Sequence, residues 1–266
     1  MANTAVLHSF SRRASAPSGG ATAAVEQARS LTSCQTCGMR DLCLPAGLST
    51  ADRDQLNRIV VHRKRTLRRG EYLFRAGGAM QSLFALQTGF LKTCVLHDDG
   101  REQVAGFHMM GDLLGLDAIG SGTHICDAVA LEDTEICEIP FHALETLSQK
   151  MPSLQQHFHR LMSREITRDH GVMLLLGSMR AEERLAAFLL NLSQRFAARG
   201  YSSTSFVLRM TREEIGSYLG LKLETVSRAL SHFQSEGWIT VQNKNIELRS
   251  PQNLRAVLGL RAPQAQ

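Results

Sequence analysis

Several features that soluble enzymes and membrane proteins commonly carry are missing from this chain of 266 residues. No apolar run approaches the roughly 18 residues that a membrane-spanning helix needs, so no span is expected. The opening stretch, MANTAVLHSFSRRASAPSGGATAAV, lacks the apolar core of roughly 7–15 residues that marks a secretory signal. It is rich in Ala, Ser and Arg and poor in acids, which fits a disordered leader over 1–30, with an organelle transit peptide as the alternative. Neither G-x-G-x-x-G nor G-x-x-x-x-G-K-[ST] occurs, which removes the common dinucleotide and P-loop sites. His62, His97, His108, His159 and His170 are scattered, and no Ser/His/Asp arrangement suggests hydrolysis. The expectation is a protein that is not an enzyme.

Cysteine is scarce as well, but its placement is informative. Of six cysteines, three fall in SCQTCGMRDLCLPAG, at Cys34, Cys37 and Cys43. Without a secretion signal the expected location is cytoplasmic and reducing, where clustered thiols are more often metal ligands or catalytic groups than disulfides. Three thiolates with a distant fourth suit tetrahedral zinc as well as an iron–sulfur cluster, and C-x2-C-x5-C matches neither common ferredoxin spacing. The spacing leaves both metals open.

What the chain does contain is an ordinary globular balance, 43% apolar and 21% charged, long enough for two domains. A net charge of +5 is compatible with a polyanionic partner, but position has to carry that argument. From about 47 to 150, short β-like runs alternate with glycines, as in EYLFRAGG, SLFALQTG and FLKTCVLHDDG, the texture of a small antiparallel sandwich or roll. Asp99-Gly100 between two such runs predicts a hairpin turn. After Pro152 the period becomes helical. Met162, Ile166, Asp169, Met173 and Leu176 recur at steps of 4, 3, 4 and 3, which predicts a long helix over 151–179 with a seam fit for a second copy. In such a symmetric seam Asp169 would face its own counterpart and repel it, keeping the pair marginal and switchable.

The stretch MTREEIGSYLGLKLETVSRALSHFQSEGWITVQNKNIEL carries the most information. Thr211 and Glu214 form a capping box that opens a short helix. Gly220 closes it, and a second helix follows after a turn of about three residues, the spacing of a helix-turn-helix. Val226, Leu230 and Phe233 share the expected core face, whereas Glu224, Ser227, Arg228 and Ser231 share the other. Arg can bond guanine O6 and N7 together, a carboxylate can accept from cytosine, and Ser serves either role. WITV, the QNKN turn and IEL read as a wing with Lys244 at its tip. These features together predict a winged helix over 180–250 that binds double-stranded DNA, with a polar tail over 251–266.

The order of roll, long helix and winged helix resembles the cAMP receptor protein superfamily. GFHMMGDLLGLDAIGSG, CEIPF, AEERLAAFLLNLSQRFAARG and LETVSRAL resemble its FNR branch, the fumarate and nitrate reduction regulators. The resemblance covers roughly 31–250. It implies an α+β architecture: a cysteine segment at 31–46, a jelly-roll-like, cyclic-nucleotide-binding-like β-roll, a dimerisation helix and the winged helix. It also implies an oxygen-labile four-iron, four-sulfur cluster on Cys34, Cys37, Cys43 and Cys137, the last chosen because it stands in CEIP. Cys94 and Cys126 have no counterpart in that pattern and read as small buried hydrophobes in strands. Base contacts fall on Glu224, Ser227 and Arg228, interface positions on Ile166 and Asp169, and the target resembles the inverted repeat TTGAT-N4-ATCAA. RNA polymerase is the implied protein partner. Cyclic-nucleotide members carry a Glu and an Arg in a phosphate cassette; GDLLGLDAIGSGTHICDAVA has neither, so no cyclic nucleotide is expected. The expected function is an oxygen-responsive regulator of anaerobic metabolism, with a zinc-bearing winged-helix regulator as the alternative. A small iron–sulfur electron carrier would not need the helix-turn-helix.

Overall fold

The computed structural model describes residues 49–60 and 64–259; Cys34, Cys37 and Cys43, with the 1–30 leader, lie outside the described residues. The first described element is helical, α1 (Thr50–Val60), where the sequence reading expected the roll to begin at 47. Its Leu56 is buried in a cluster with Leu83, Leu144, Leu147 and Leu154.

Eight antiparallel strands follow: β1 (Lys64–Leu67), β2 (Tyr72–Phe74), β3 (Ser82–Thr88), β4 (Phe90–Leu96), β5 (Glu102–Met109), β6 (Leu113–Leu114), β7 (Asp127–Ala130) and β8 (Thr134–Pro140). They form two four-stranded sheets, ordered β1-β8-β3-β6 and β2-β7-β4-β5. The sheets close on an apolar core that includes Leu67, Leu86 and Ile136 from the first and Leu73, Leu91 and Ala128 from the second. Period-two alternation on each strand supplies these inward side chains. The β4–β5 hairpin turns at the expected place: Gly100 N–H donates to His97 O at 2.9 Å, and Gly100 takes φ 83°, a conformation that favours glycine. Cys94 on β4 and Cys126 are free, buried thiols, as expected of small hydrophobes, but Cys126 lies one residue before β7 rather than in a strand.

Helices α2 (Phe141–Lys150) and α3 (Pro152–Ser178) come next. Pro152 sits in the first turn of α3, where its missing N–H costs nothing. The 27 residues of α3 extend over about 40 Å at 1.5 Å each. Along it Ile166, Asp169, Met173 and Leu174 are exposed. Met162 is half-buried, and Leu176 leaves the stripe to pack against the C-terminal core.

The C-terminal region comprises α4 (Ala181–Ala197), β9 (Ser205–Val207), α5 (Arg212–Leu219), α6 (Leu223–Ser235), β10 (Ile239–Gln242), β11 (Asn245–Leu248) and α7 (Pro251–Val257). Strand β9 adds a third member to the wing sheet, ordered β10-β11-β9. The expected tail over 251–266 is corrected in its first half. Pro251 opens α7, and Leu254 is fully buried in the C-terminal core, where α7 packs on α4. One buried leucine in seven residues leaves no readable period, so only the tertiary contact reveals this helix.

Candidate nucleic-acid interface and sensor strand

The N-terminus of α5 is built as the sequence predicts. Glu214 N–H donates to Thr211 Oγ1 at 3.1 Å, and Thr211 N–H donates to Glu214 Oε2 at 2.7 Å. Gly220 caps the helix in the left-handed region at φ 62°. A second glycine, unremarked in the sequence reading, shapes the turn more tightly. A Cβ on Gly216 would stand 2.6 Å from Leu221 O, whose chain doubles back under the helix. Leu221 N–H donates to Gly216 O at 2.8 Å, fastening that return.

Helix α6 buries Val226, Ala229, Leu230 and Phe233, and presents Glu224 and Arg228 exposed and Ser227 half-buried on its other side. Glu224 lies in the first turn, where a carboxylate is favoured by the helix dipole. Ser231, grouped with them by periodicity, donates its hydroxyl to Ser227 O at 3.0 Å and is thereby spent within the helix. Ser227 Oγ instead accepts from Arg212 Nη1 at 3.3 Å, across the helix-turn-helix. The wing turns at Asn243, which adopts φ 57°, next to Lys244, whose Nζ is 3.4 Å from Arg209 O.

The helix-turn-helix is docked on the roll. Lys92 Nζ on β4 lies 2.6 Å from Glu102 and 3.0 Å from Glu214. Burial alone would lower the Lys92 pKa, but the two carboxylates outweigh it and raise it. Burial would raise Glu214; the Thr211 N–H and Lys92 outweigh that and lower it. Val104 N–H donates to Ser217 Oγ at 2.8 Å, and Gln103 Nε2 donates to Ser217 O. Phe107, Phe188 and Tyr218 pack as a trio, with centroids 5.2–6.0 Å apart. Below them Asp112 accepts from Arg195 and Arg199, the latter at 2.6 Å. The ion pairs of Lys92 with Glu214 and of Asp112 with Arg195 and Arg199 were not legible in the sequence, since their partners stand more than 80 positions apart.

On the sensor side Cys137 occupies β8, half-buried, its Sγ 3.8 Å from Gln87 Oε1. Helix α1 packs against β8. Cys94 and Cys126 differ from it. Burial first, then nearby carboxylates, push both thiols up to about 12, which keeps them protonated and poor ligands. Among the described residues no three His, Cys, Asp or Glu side chains are grouped to hold a metal ion.

Between the roll and α3 lies a cavity of about 360 Å³. Its wall is mainly apolar, with Asp117, Glu165, Arg168 and Asp169 as its charged groups. Arg168 is paired to Glu165 at 2.8 Å, and Asp117 faces His124 at 3.3 Å. Burial raises the Glu165 pKa above the ordinary range. Expected interface residues Ile166 and Asp169 thus stand at the mouth of this cavity as well as on the exposed stripe of α3.

A capped helix-turn-helix with a polar recognition face and a wing, following a closed β-roll and a long helix, defines a DNA-binding transcription regulator. Residues 183–257 match the Crp-like helix-turn-helix domain model, and 64–151 match the cyclic nucleotide-binding domain model. The chain is 48% identical over 226 residues to the fumarate and nitrate reduction regulatory proteins of Salmonella typhimurium and Escherichia coli K12, covering 85% of this chain and 90% of each of those proteins. Among solved structures, FixK2 from Bradyrhizobium japonicum is 31% identical with a TM-score of 0.68, over 76% of this chain and 98% of that one. The chain belongs to the CRP/FNR family of transcription regulators, whose members are not enzymes. Among the described residues no helix is long and apolar enough to cross a membrane.

Proposed function

We propose that this regulator responds to oxygen in the cytoplasm and acts as a homodimer on an FNR-box-like inverted repeat. Cys34, Cys37, Cys43 and Cys137 would hold a four-iron, four-sulfur cluster. The observation that carries the reading is the docking of α1 on β8, the strand of Cys137. Seven positions separate Cys43 from Thr50, a reach of about 25 Å at up to roughly 3.6 Å each. The cysteine segment therefore enters the roll through a helix already lying on the strand of the fourth thiol. Partial exposure of Cys137 suits a ligand, whereas the buried thiols of Cys94 and Cys126 do not. Bound there, the cluster would supply an oxygen-labile joint between the N-terminal segment and β8.

The rest follows from this chain's own residues. Ile166, Met173 and Leu174 leave an apolar stripe on α3 that a second α3 would cover. With the N-terminal segment tied to β8, that burial outweighs the repulsion between paired Asp169 carboxylates. With the segment released, repulsion prevails and the copies separate. Pairing brings two α6 helices to major grooves about one turn, roughly 34 Å, apart. The bound dimer would then meet RNA polymerase. A cyclic nucleotide is not the signal in this reading: its phosphate would meet Asp117, Glu165 and Asp169, with Arg168 already paired.

The test is an absorbance spectrum of protein purified without oxygen, repeated in air, with mass by size exclusion at each step. The expected sample is brown, with a broad band near ~400 nm from thiolate-bound iron–sulfur that bleaches as dimer becomes monomer. A colourless, zinc-containing dimer indifferent to air would remove the sensor and leave the DNA-binding regulator.

A further inference from the structure

A serine hydroxyl on a recognition helix is ambiguous. It can donate to guanine O6 or N7, adenine N7 or thymine O4, or accept from the amino groups of adenine and cytosine. Sequence periodicity placed Ser227 among the base-reading residues without resolving which of these it does. The structure adds a neighbour. Arg212, at the start of α5, aims Nη1 at Ser227 Oγ over 3.3 Å.

A guanidinium has donors only, so in this contact the serine oxygen must accept. Its O–H is then left to donate outward. The usual internal outlet for a helical serine, the carbonyl one turn back, is what Ser231 uses, at 3.0 Å from Ser227 O. Arg212 is the hydrogen-bond partner that Ser227 Oγ has among the described residues. Both groups are accessible, Arg212 exposed and Ser227 half-buried. The fixed charge acts in the same direction as the hydrogen bond. Ser227 Oγ keeps a second lone pair, but a base amino group approaching it would come up beside a cation, whereas an acceptor would be drawn to both the O–H and the charge.

We propose that Arg212 is a specificity-determining residue: it holds Ser227 as a hydrogen-bond donor, so the base pair facing Ser227 is read through an acceptor, purine N7 or O6 or thymine O4, and cytosine is rejected there. This rests on the reading that Ser227 meets a base edge. Arg212 acts through Ser227 and is a positioning residue in this scheme.

The test uses the full chain, purified without oxygen, on the TTGAT-N4-ATCAA duplex and on a set in which each half-site base pair is replaced in turn by the other three. Ser227→Ala identifies the position facing Ser227 as the one where base preference flattens. At that position Arg212→Met, which keeps the aliphatic stem, is expected to reduce discrimination against cytosine by about tenfold, the factor that one specific hydrogen bond supplies. Preferences elsewhere should hold. Arg212→Lys, still a donor, is expected to restore most of the discrimination. Equal weakening at every position by Arg212→Met, with a shallower salt dependence, makes Arg212 a phosphate contact and overturns the proposal alone. No flattening anywhere in Ser227→Ala overturns the proposal together with the base-reading role of Ser227. Thermal melting of each variant without DNA separates either result from misfolding.

Discussion

Two glycines four residues apart serve the helix-turn-helix in different ways. Gly220 supplies a left-handed cap, which the sequence signals by position alone. Gly216 lies inside α5 and supplies space, since any Cβ there would meet the Leu221 carbonyl at 2.6 Å. Alanine would gain about 1 kcal/mol of helix propensity at this site. Overpacking against backbone costs about 1–3 kcal/mol, and a carbonyl cannot rotate away as a side chain can. Gly216→Ala is therefore expected to lower stability by up to about 2 kcal/mol net and to weaken DNA binding through a displaced α6. Urea unfolding and a duplex shift assay on the same preparation check this; an unchanged midpoint would show that the turn relaxes freely. The solvent-facing side of α6 was largely legible at this scale because it follows a 3.6-residue period within one helix. Ser231 shows the limit: its spacing matched the face, yet its hydroxyl is bonded to the helix backbone.

Among the elements, α3 carries the regulatory prediction. Its exposed stripe combines Ile166 and Met173, apolar and more than half exposed, with Asp169 between them. Aerobic protein with Asp169→Ala is expected to remain dimeric by size exclusion or sedimentation, because the apolar burial stays and the like-charge pair goes. A monomeric aerobic variant would remove Asp169 as the repulsive element. Helix α3 was readable from its long apolar period, whereas α1 and α7 were not. Among the described side chains the buried ones are Leu56 in α1 and Leu254 in α7, so each helix is held by docking rather than by its own pattern. The cysteine pattern was legible too, but nothing in the spacing singles out Cys137; exposure distinguishes it from Cys94 and Cys126, and exposure belongs to the fold.

The whole molecule joins roll and winged helix through buried polar groups, and this gives its stability a pH dependence. His108 is buried beside Thr93 Oγ1 at 3.0 Å, with its Nδ1 unpartnered. Burial, aided by Arg168, pushes its pKa down from 6.5 to about 3. The folded protein thus keeps His108 neutral while the unfolded chain takes up a proton below 6.5. Its contribution is complete above 6.5 and lost as pH falls toward about 3. Burial works against Asp112, but Arg195 and Arg199 overcome it and hold the carboxyl below its ordinary value, so its contribution too is lost in acid. Glu165, raised by burial, has the opposite sign and softens the fall near its own range. Between pH 7 and pH 5 the urea midpoint is expected to drop, and His108→Gln to drop less over the same interval. Each proton of difference changes the slope by about 1.4 kcal/mol per pH unit. Parallel curves for the two proteins would assign the acid sensitivity elsewhere. Sequence pattern alone carried the two helices of the helix-turn-helix, the capping box before the first, the hairpin turn and the long helix, because each is a local pattern within one turn or one helix. Packing brings Lys92 to Glu214, Asp112 to Arg195 and Arg199, α1 onto β8 and Arg212 to Ser227. Those pairings depend on which surfaces the packed cores bring together, and residue type at a single position does not encode its distant partner.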